Sequence, residues 1–221
     1  MKRLVLDPMK LDACFNWPLC SDSAVAHAIV LTQSGKAVRD DLGGKRPDCP
    51  VFVRNGRPCD LDRYVAGENG ALFAPQGGLR ISARGLARIG RMLIGNGTID
   101  GVRILRPESV AMMVRPAWTW DGRNGVTEGG VFCRYGLAVH LLATRRAGCG
   151  DDPGLARGDW IGHSGEAYGL RSGLWIDRAA GIGMAYFATG LDAVPSRGRS
   201  GFTAAEETLV GRAVALGQQR P

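Results

Sequence analysis

The sequence predicts an α+β fold in which an antiparallel β-sheet is flanked by helices. Strand-like segments crowd the second half of the chain, at Tyr135 to Leu142, Trp160 to Ser164, Ser172 to Ile176 and Ile182 to Ala188. The turns between the later segments are short, which favours antiparallel neighbours over parallel strands joined by crossovers. Helical patterns precede and follow this strand region, beginning at Ser82 and at Thr203.

Each element follows from local chemistry. Leu4-Val5-Leu6 runs into Asp7-Pro8, so residues 1–20 read as a helix end and a turn, because proline disfavours helix at the residue before it. Residues 40–70 are rich in Gly, Pro, Asp and Arg and read as a long irregular excursion with one strand at Val51 to Val53. Loops of this length are usually functional or clamped. Ser82 is a good N-cap, Leu86, Ile89 and Leu93 follow at helical spacing, and Asn96-Gly97 stops the helix. A second helix starts at Pro107, in the first turn that proline tolerates, and runs through Val110 and Met113. Asp177-Arg178-Ala179-Ala180-Gly181 joins two of the strands as a hairpin with glycine in its turn. The last helix runs from Thr203 to Leu216, with Thr203 and Glu206 as a capping box and Leu209, Val210, Ala213 and Leu216 as the apolar face. The whole chain, 1–221, reads as a single unit, irregular over 1–80 and regular over 81–221.

Bulk properties remove several classes of function. With 221 residues, 45% hydrophobic and 22% charged, the chain has enough apolar side chains for one core and is not intrinsically disordered. No apolar run is long enough to span a bilayer. The net charge is +7 and the pI near 9.4. The arginines are nevertheless scattered among acids, as in Arg39-Asp40-Asp41, and no basic run is interleaved with aromatics. No nucleic-acid partner is therefore expected. Leu4 to Leu6 is too short an apolar stretch for a signal peptide.

The cysteines point the other way. There are six, with no C-x-x-C, and an even count suggests disulfides formed in an oxidising compartment. The simplest pairing is sequential, Cys14 with Cys20, Cys49 with Cys59 and Cys133 with Cys149. Other pairings and buried free thiols stay open. Cysteines that imply export and an N-terminus without an export signal would be reconciled by a missing N-terminal region.

The histidines lack metal-ligand spacing, and neither a metal nor another cofactor is expected. His27, in the apolar run Ala24 to Leu31, reads as a satisfied, semi-buried side chain. His140 alternates within a strand and faces solvent or the sheet's second layer. Trp160 and Trp175 read as core or cleft-wall aromatics. Gly77-Gly78 is no phosphate loop, because no Lys-Ser/Thr follows at the required spacing. A cysteine nucleophile pairing Cys133 or Cys149 with His140 or His163 has no support in the local sequence.

The informative stretch is Ile161-Gly162-His163-Ser164-Gly165-Glu166-Ala167-Tyr168-Gly169-Leu170-Arg171, a strand that ends in a small polar triplet and a glycine turn. Upstream, Pro75 to Arg91 carries a P-x-G-G-L segment and a Ser-capped helix, and Asp100 to Val110 carries D-G-x-R-I-L-x-P-E-x-V. Together these resemble the serine β-lactamase family, in its class C β-lactamase, D-alanyl-D-alanine carboxypeptidase and esterase branch. His163-Ser164-Gly165 matches the family's K-T-G triplet in its H-x-G form. Leu4 to Leu11 is similar to a segment found midway through family members, so the likeness covers nearly all of this chain but only the later part of the family's domain.

The resemblance implies a β-lactamase/transpeptidase-like fold whose N-terminal strands and nucleophile helix are missing. It also implies a role for each residue of the triplet region. His163 would line the cleft near the proton-transfer network, Ser164 would hydrogen-bond the substrate, Gly165 would complete the triplet, and the backbone N–H of Glu166 would be one oxyanion donor. The family's nucleophile sits in S-x-x-K. No serine here has lysine three residues later, and none of Tyr64, Tyr135, Tyr168 and Tyr186 begins a Y-x-N. The expectation is a β-lactamase-related serine hydrolase, truncated and inactive alone, whose parent is periplasmic or secreted and acts on a small-molecule or peptidoglycan-like substrate. The alternative is a non-catalytic binding module using the remnant cleft. An open sheet edge would favour self-association.

Overall fold

A computed structural model describes residues 1–47, 77–155 and 158–218. The chain opens with a short helical turn over Lys2–Leu6, then β1 (Cys14–Phe15) and helix α1 (Asp22–Ala26). A two-stranded hairpin follows, β2 (Leu31–Gln33) and β3 (Lys36–Arg39). After β4 (Leu79–Arg80), which pairs with β1, comes α2 (Ala83–Ile94). The small hairpin β5 (Thr98–Ile99) and β6 (Val102–Arg103) leads into α3 (Pro107–Val114). The main sheet is built from β7 (Trp118–Thr119), β8 (Arg134–Tyr135), β9 (His140–Leu141), β10 (Trp160–Ala167), β11 (Leu170–Asp177) and β12 (Ile182–Ala188). Helix α4 (Ala204–Gln218) ends the described chain.

The six-stranded sheet has the order β12-β11-β10-β9-β8-β7, and every pairing in it is antiparallel. The fold class read from the sequence is thus the observed one. Sheet alternation sorts the core into two layers. Ile161 and Ile176 point to the α2 side, where they pack with Met9, Met92, Leu93 and Val110. Trp160 and Trp175 point to the other side, against Tyr186, Phe202 and Val210 of the α4 layer. Gly90 of α2 lets the helix approach closely, since a Cβ there would sit 3.0 Å from both Ile176 and Leu174.

Most helix boundaries follow the sequence signals. The Ser82 hydroxyl accepts the Gly85 N–H at 3.1 Å, and α2 stops at Ile94 ahead of Asn96 and Gly97, both in left-handed conformations. The capping box of α4 is present: Thr203 N–H and Oγ donate to Glu206 Oε2 at 3.0 and 2.8 Å, and Glu206 N–H donates back to Thr203 Oγ at 3.3 Å.

Two expectations need correction. Tyr135 to Leu142 is not one strand but a tight hairpin, with Tyr135 facing His140 and Gly136 N–H bonded to the Val139 carbonyl. The chain must double back there because Leu137 N–H bonds to the Met113 carbonyl, so the turn is pinned to the end of α3. The second concerns His27 in the run Ala24 to Leu31, which is satisfied but not semi-buried. Only Val25 of α1 is buried, Ile29 is exposed, and His27 is exposed beyond the helix end, where its Nδ1 bonds the Ser23 carbonyl. The Cys14–Cys20 and Cys133–Cys149 disulfides are both formed. The strand expected at Val51 to Val53 and the Cys49–Cys59 bridge lie outside the described residues.

Candidate active-site cleft

Strand β10 carries the His163-Ser164-Gly165 triplet, and its pairing defines an edge. On one side it pairs with β11 along its whole length, from Trp160↔Asp177 to Ala167↔Leu170. On the other, β9 pairs only with Ile161 and Gly162. From His163 onward this second side has no strand beside it among the described residues. The Leu142 N–H donates to the Trp160 carbonyl at 2.9 Å, so Trp160 turns its backbone groups away from β11. Alternation along the strand then turns the N–H groups of Gly162, Ser164 and Glu166 the same way. For Ser164 and Glu166 that direction is the open edge.

Small residues are needed here for close approach. A Cβ on Gly162 would run into the Leu174 carbonyl, and one on Gly165 would lie 2.5 Å from Ser172 Oγ on the facing strand. Gly173, opposite Ser164, would push its Cβ to within 2.6 Å of the Tyr186 ring. The Tyr168–Gly169 turn has φ of 51° and 72°, the two left-handed residues of a two-residue type I′ hairpin.

The side chains sort by partner. Glu166 Oε2 lies 2.5 Å from Nη1 of Arg171, its cross-strand neighbour, and Arg171 reaches on to Glu206 at 4.0 Å. The Glu166 carboxylate is thus committed to an ion pair, and its backbone N–H is the group presented to the edge. Ser164 is half-buried, and its hydroxyl makes no hydrogen bond among the described residues. His163 is exposed. Its Nδ1 sits on the Ser164 carbonyl and its Nε2 lies 3.3 Å from the Tyr135 hydroxyl. A carbonyl can only accept, so Nδ1 carries a proton, and in the neutral ring Nε2 accepts the Tyr135 O–H. Burial pushes the Tyr135 phenol up to about 12, so it remains a neutral donor at neutral pH.

Behind this pair lies a sealed aromatic stack. The Tyr135 ring lies parallel to His140, which is fully buried and meets Trp175 edge-on at 5.6 Å. His140 Nε2 is 3.7 Å from Asp151 Oδ2, also buried, while Asp151 Oδ1 accepts the Thr144 N–H at 2.8 Å. Burial lowers the His140 pKa below the usual imidazole value; the Asp151 carboxylate works in the opposite direction. The Cys133–Cys149 bridge ties the strand bearing Tyr135 to the loop bearing Asp151.

A family model for beta-lactamase matches residues 1–207. The chain belongs to the beta-lactamase family. Solved structures similar to it include SurE (18% identity over 96% of this chain and 37% of that one, TM-score 0.44). A D-stereospecific amidohydrolase from Streptomyces sp. is similar at 16% identity over 98% of this chain and 47% of that one, with a TM-score of 0.46. A beta-lactamase/D-alanine carboxypeptidase from Pseudomonas syringae shows 16% identity over 90% and 51%, with a TM-score of 0.41. The chain thus spans about half or less of the length of each. No curated protein matches it.

In this beta-lactamase-family chain, the four residues singled out from the sequence lie in one run on β10. Tyr135 and Phe132, whose ring centroid lies 6.5 Å from that of His163, were not foreseen as neighbours of that run, nor Asp151 as the partner of His140. Tyr135 was considered only as the start of a Y-x-N, and the hairpin that brings it to His163 was concealed in what looked like a single strand. Of the two placements expected for His140, solvent or the sheet's second layer, the second is observed: its strand partner Gly162 leaves room for the buried ring against Trp175. Trp160 and Trp175 belong to the core and not to the cleft wall. Among the described residues no cluster of His, Cys, Asp and Glu has the geometry to hold a metal ion.

Proposed function

We propose that this chain forms one wall of the acyl-transfer cleft of a β-lactamase-related serine hydrolase, and that by itself it performs no acyl transfer. The supporting observation is the open edge of β10, where the Ser164 and Glu166 N–H groups face outward beside His163. In this reading the Glu166 N–H is one oxyanion donor, Ser164 hydrogen-bonds the substrate, Gly165 completes the triplet where Ser172 comes close, and His163 borders the proton-transfer network. An oxyanion donor acts only when a nucleophile creates the anion in front of it. The S-x-x-K serine and lysine are absent from this sequence and would have to come from other polypeptide. The parent substrate is a lactam, a D-Ala peptide or an ester, and the two disulfides fit a secreted or periplasmic protein.

Labelling tests this reading. Purified chain is incubated with a fluorescent penicillin and a fluorophosphonate and analysed by intact-mass spectrometry. No covalent adduct is expected. A stoichiometric adduct on a side chain of this polypeptide overturns the reading.

A binding module without chemistry is the second reading, favoured by the same unpaired donors, which can hold a carbonyl or carboxylate without attacking it. A saturable rise in melting temperature with D-Ala-D-Ala peptides, with no adduct, would support it. Association is also proposed through β12, whose neighbour among the described residues is β11 alone and whose residues, Ile182 to Ala188, carry no charge. A monodisperse monomer by light scattering would refute that.

A further inference from the structure

We propose that the chain carries a second ligand site, a cavity between Arg134 and Arg178 that binds a small monocarboxylate with a short apolar tail. The cavity has a volume of about 500 Å³ and lies where the start of β10 meets the end of α3 and the turn after β11. That volume is in the range of small-molecule sites. Val114, Leu141 and Ile161 supply an apolar lining, and Arg134, Arg178 and Asp159 supply the charge.

The two arginines are the decisive feature. The other half-buried arginines among the described residues find carboxylates: Arg88 holds Asp100, Arg80 meets Asp40, and Arg171 meets Glu166. Arg134 and Arg178, also half-buried, find none among the described residues. Arg134 donates from Nη2 to the Leu142 carbonyl at 2.8 Å, and Arg178 from Nη2 to the Asn96 side-chain oxygen. The Nε of each is buried with no hydrogen-bond partner. A guanidinium has five N–H donors in a planar fork, so most of the capacity of both groups is unused. Partly desolvated cations without a counter-charge are costly, and a bound anion would offset that cost.

The same geometry selects the ligand. Asp159 also lines the cavity but forms no ion pair within 4.0 Å with either arginine, unlike the pairs out to that distance elsewhere. The lining therefore presents two cations against one carboxylate and suits a single negative charge better than a dianion. Two guanidinium forks match the planar carboxylate. Val114, Leu141 and Ile161 give the rest of the ligand apolar surface to lie on, which suits a short hydrocarbon tail. The site is set apart from the cleft: it opens at Trp160 and Ile161, where β9 covers the strand, and does not depend on the role given to His163.

The test uses the full chain, labelled with ¹⁵N, titrated with hexanoate, hexanamide and inorganic phosphate while the Arg Nε–H and Trp indole resonances are followed. Hexanoate should shift the Arg134 and Arg178 signals saturably, and hexanamide should bind at least about tenfold more weakly, the loss expected from one charge-assisted hydrogen bond. Arg178→Gln, in the turn after β11, should weaken hexanoate about tenfold with an unchanged circular dichroism spectrum. Arg134→Lys, which keeps the charge and loses the fork, should weaken it as well. No saturable shift with hexanoate, equal binding of hexanamide, or phosphate binding as well as hexanoate would each overturn the assignment.

Discussion

The Tyr135 ring lies flat on the His140 imidazole, with centroids 5.0 Å apart and planes 4° apart. One ring belongs to the open cleft and the other to the sealed core. The Tyr135 hydroxyl also reaches His163 Nε2, so this one side chain links the cleft histidine to the buried His140–Asp151 pair.

The alkaline limb of stability should report Tyr135. Its phenol is raised by burial to about 12, above the ordinary value of 10.0. A raised acid is held protonated by the fold, so its contribution is complete below about pH 10 and is lost as pH rises toward about 12. Urea unfolding of the native chain should show falling stability over that window. Tyr135→Phe should reduce the slope without abolishing it, because Tyr186 is also raised, by burial and by Glu206. Superimposable curves for the two proteins would refute the assignment. The same variant should move the His163 imidazole ¹⁵N resonances, since Nε2 loses its donor.

The acid limb should report His140. Burial depresses its pKa, so neutral His140 contributes in full above about pH 6.5. That contribution is lost as pH falls and the unfolded chain takes up the proton first. His140→Gln should flatten the loss of melting temperature between pH 7 and pH 5. Asp151→Asn removes the group that raises the His140 pKa and should extend the loss to lower pH. Asp151→Ala also strips the Thr144 N–H of its acceptor and should cost about 1 to 3 kcal/mol.

Reduction should weaken the fold measurably. The Cys133–Cys149 bridge spans a sequence separation of 16, against 6 for Cys14–Cys20. Loop-closure entropy grows with length, so the longer bridge should matter more. Replacing Cys133 and Cys149 together by serine should cost about 2 to 4 kcal/mol in chemical denaturation. A larger effect from the Cys14 and Cys20 pair would contradict this ordering.

Two glycines of β10 should differ sharply. Gly162→Ala drives a methyl into the Leu174 carbonyl and to within 2.8 Å of the Trp175 ring, neither of which can turn aside. It should cost about 3 kcal/mol, at the upper end of overpacking penalties. Gly165→Ala meets only the Ser172 hydroxyl, which can rotate, and should cost about 1 kcal/mol or less. Equilibrium unfolding of both variants checks the order.

Elements with a strong local cause were legible in the sequence. The α2 cap at Ser82, the Thr203–Glu206 capping box, the Pro107 start of α3 and the Gly181 hairpin each arise from residues a few positions apart, and all are present. The strand β12 was read with its observed bounds, while β10 and β11 extend past the expected segments because pairing with each other carries them on. The His163-Ser164-Gly165 run was also visible, as a motif on one strand. The doubling-back at Gly136 was not, because a continuous apolar pattern looks the same whether the chain runs on or reverses, and the contact that reverses it is made by Met113, far away in sequence.

What the sequence determined alone was helices α2, α3 and α4, the strands that became β10 to β12, the triplet and the absence of S-x-x-K from these residues. Tertiary structure decided which groups come together: Tyr135 with His163, His140 with Asp151, and Arg134 and Arg178 around one cavity. Propensity, capping and turn chemistry act within one turn or one hairpin, and so can be read along the chain. Burial and the unpaired edge of β10 depend on which distant segments pack together, and these set the charge state and the free donors of the site.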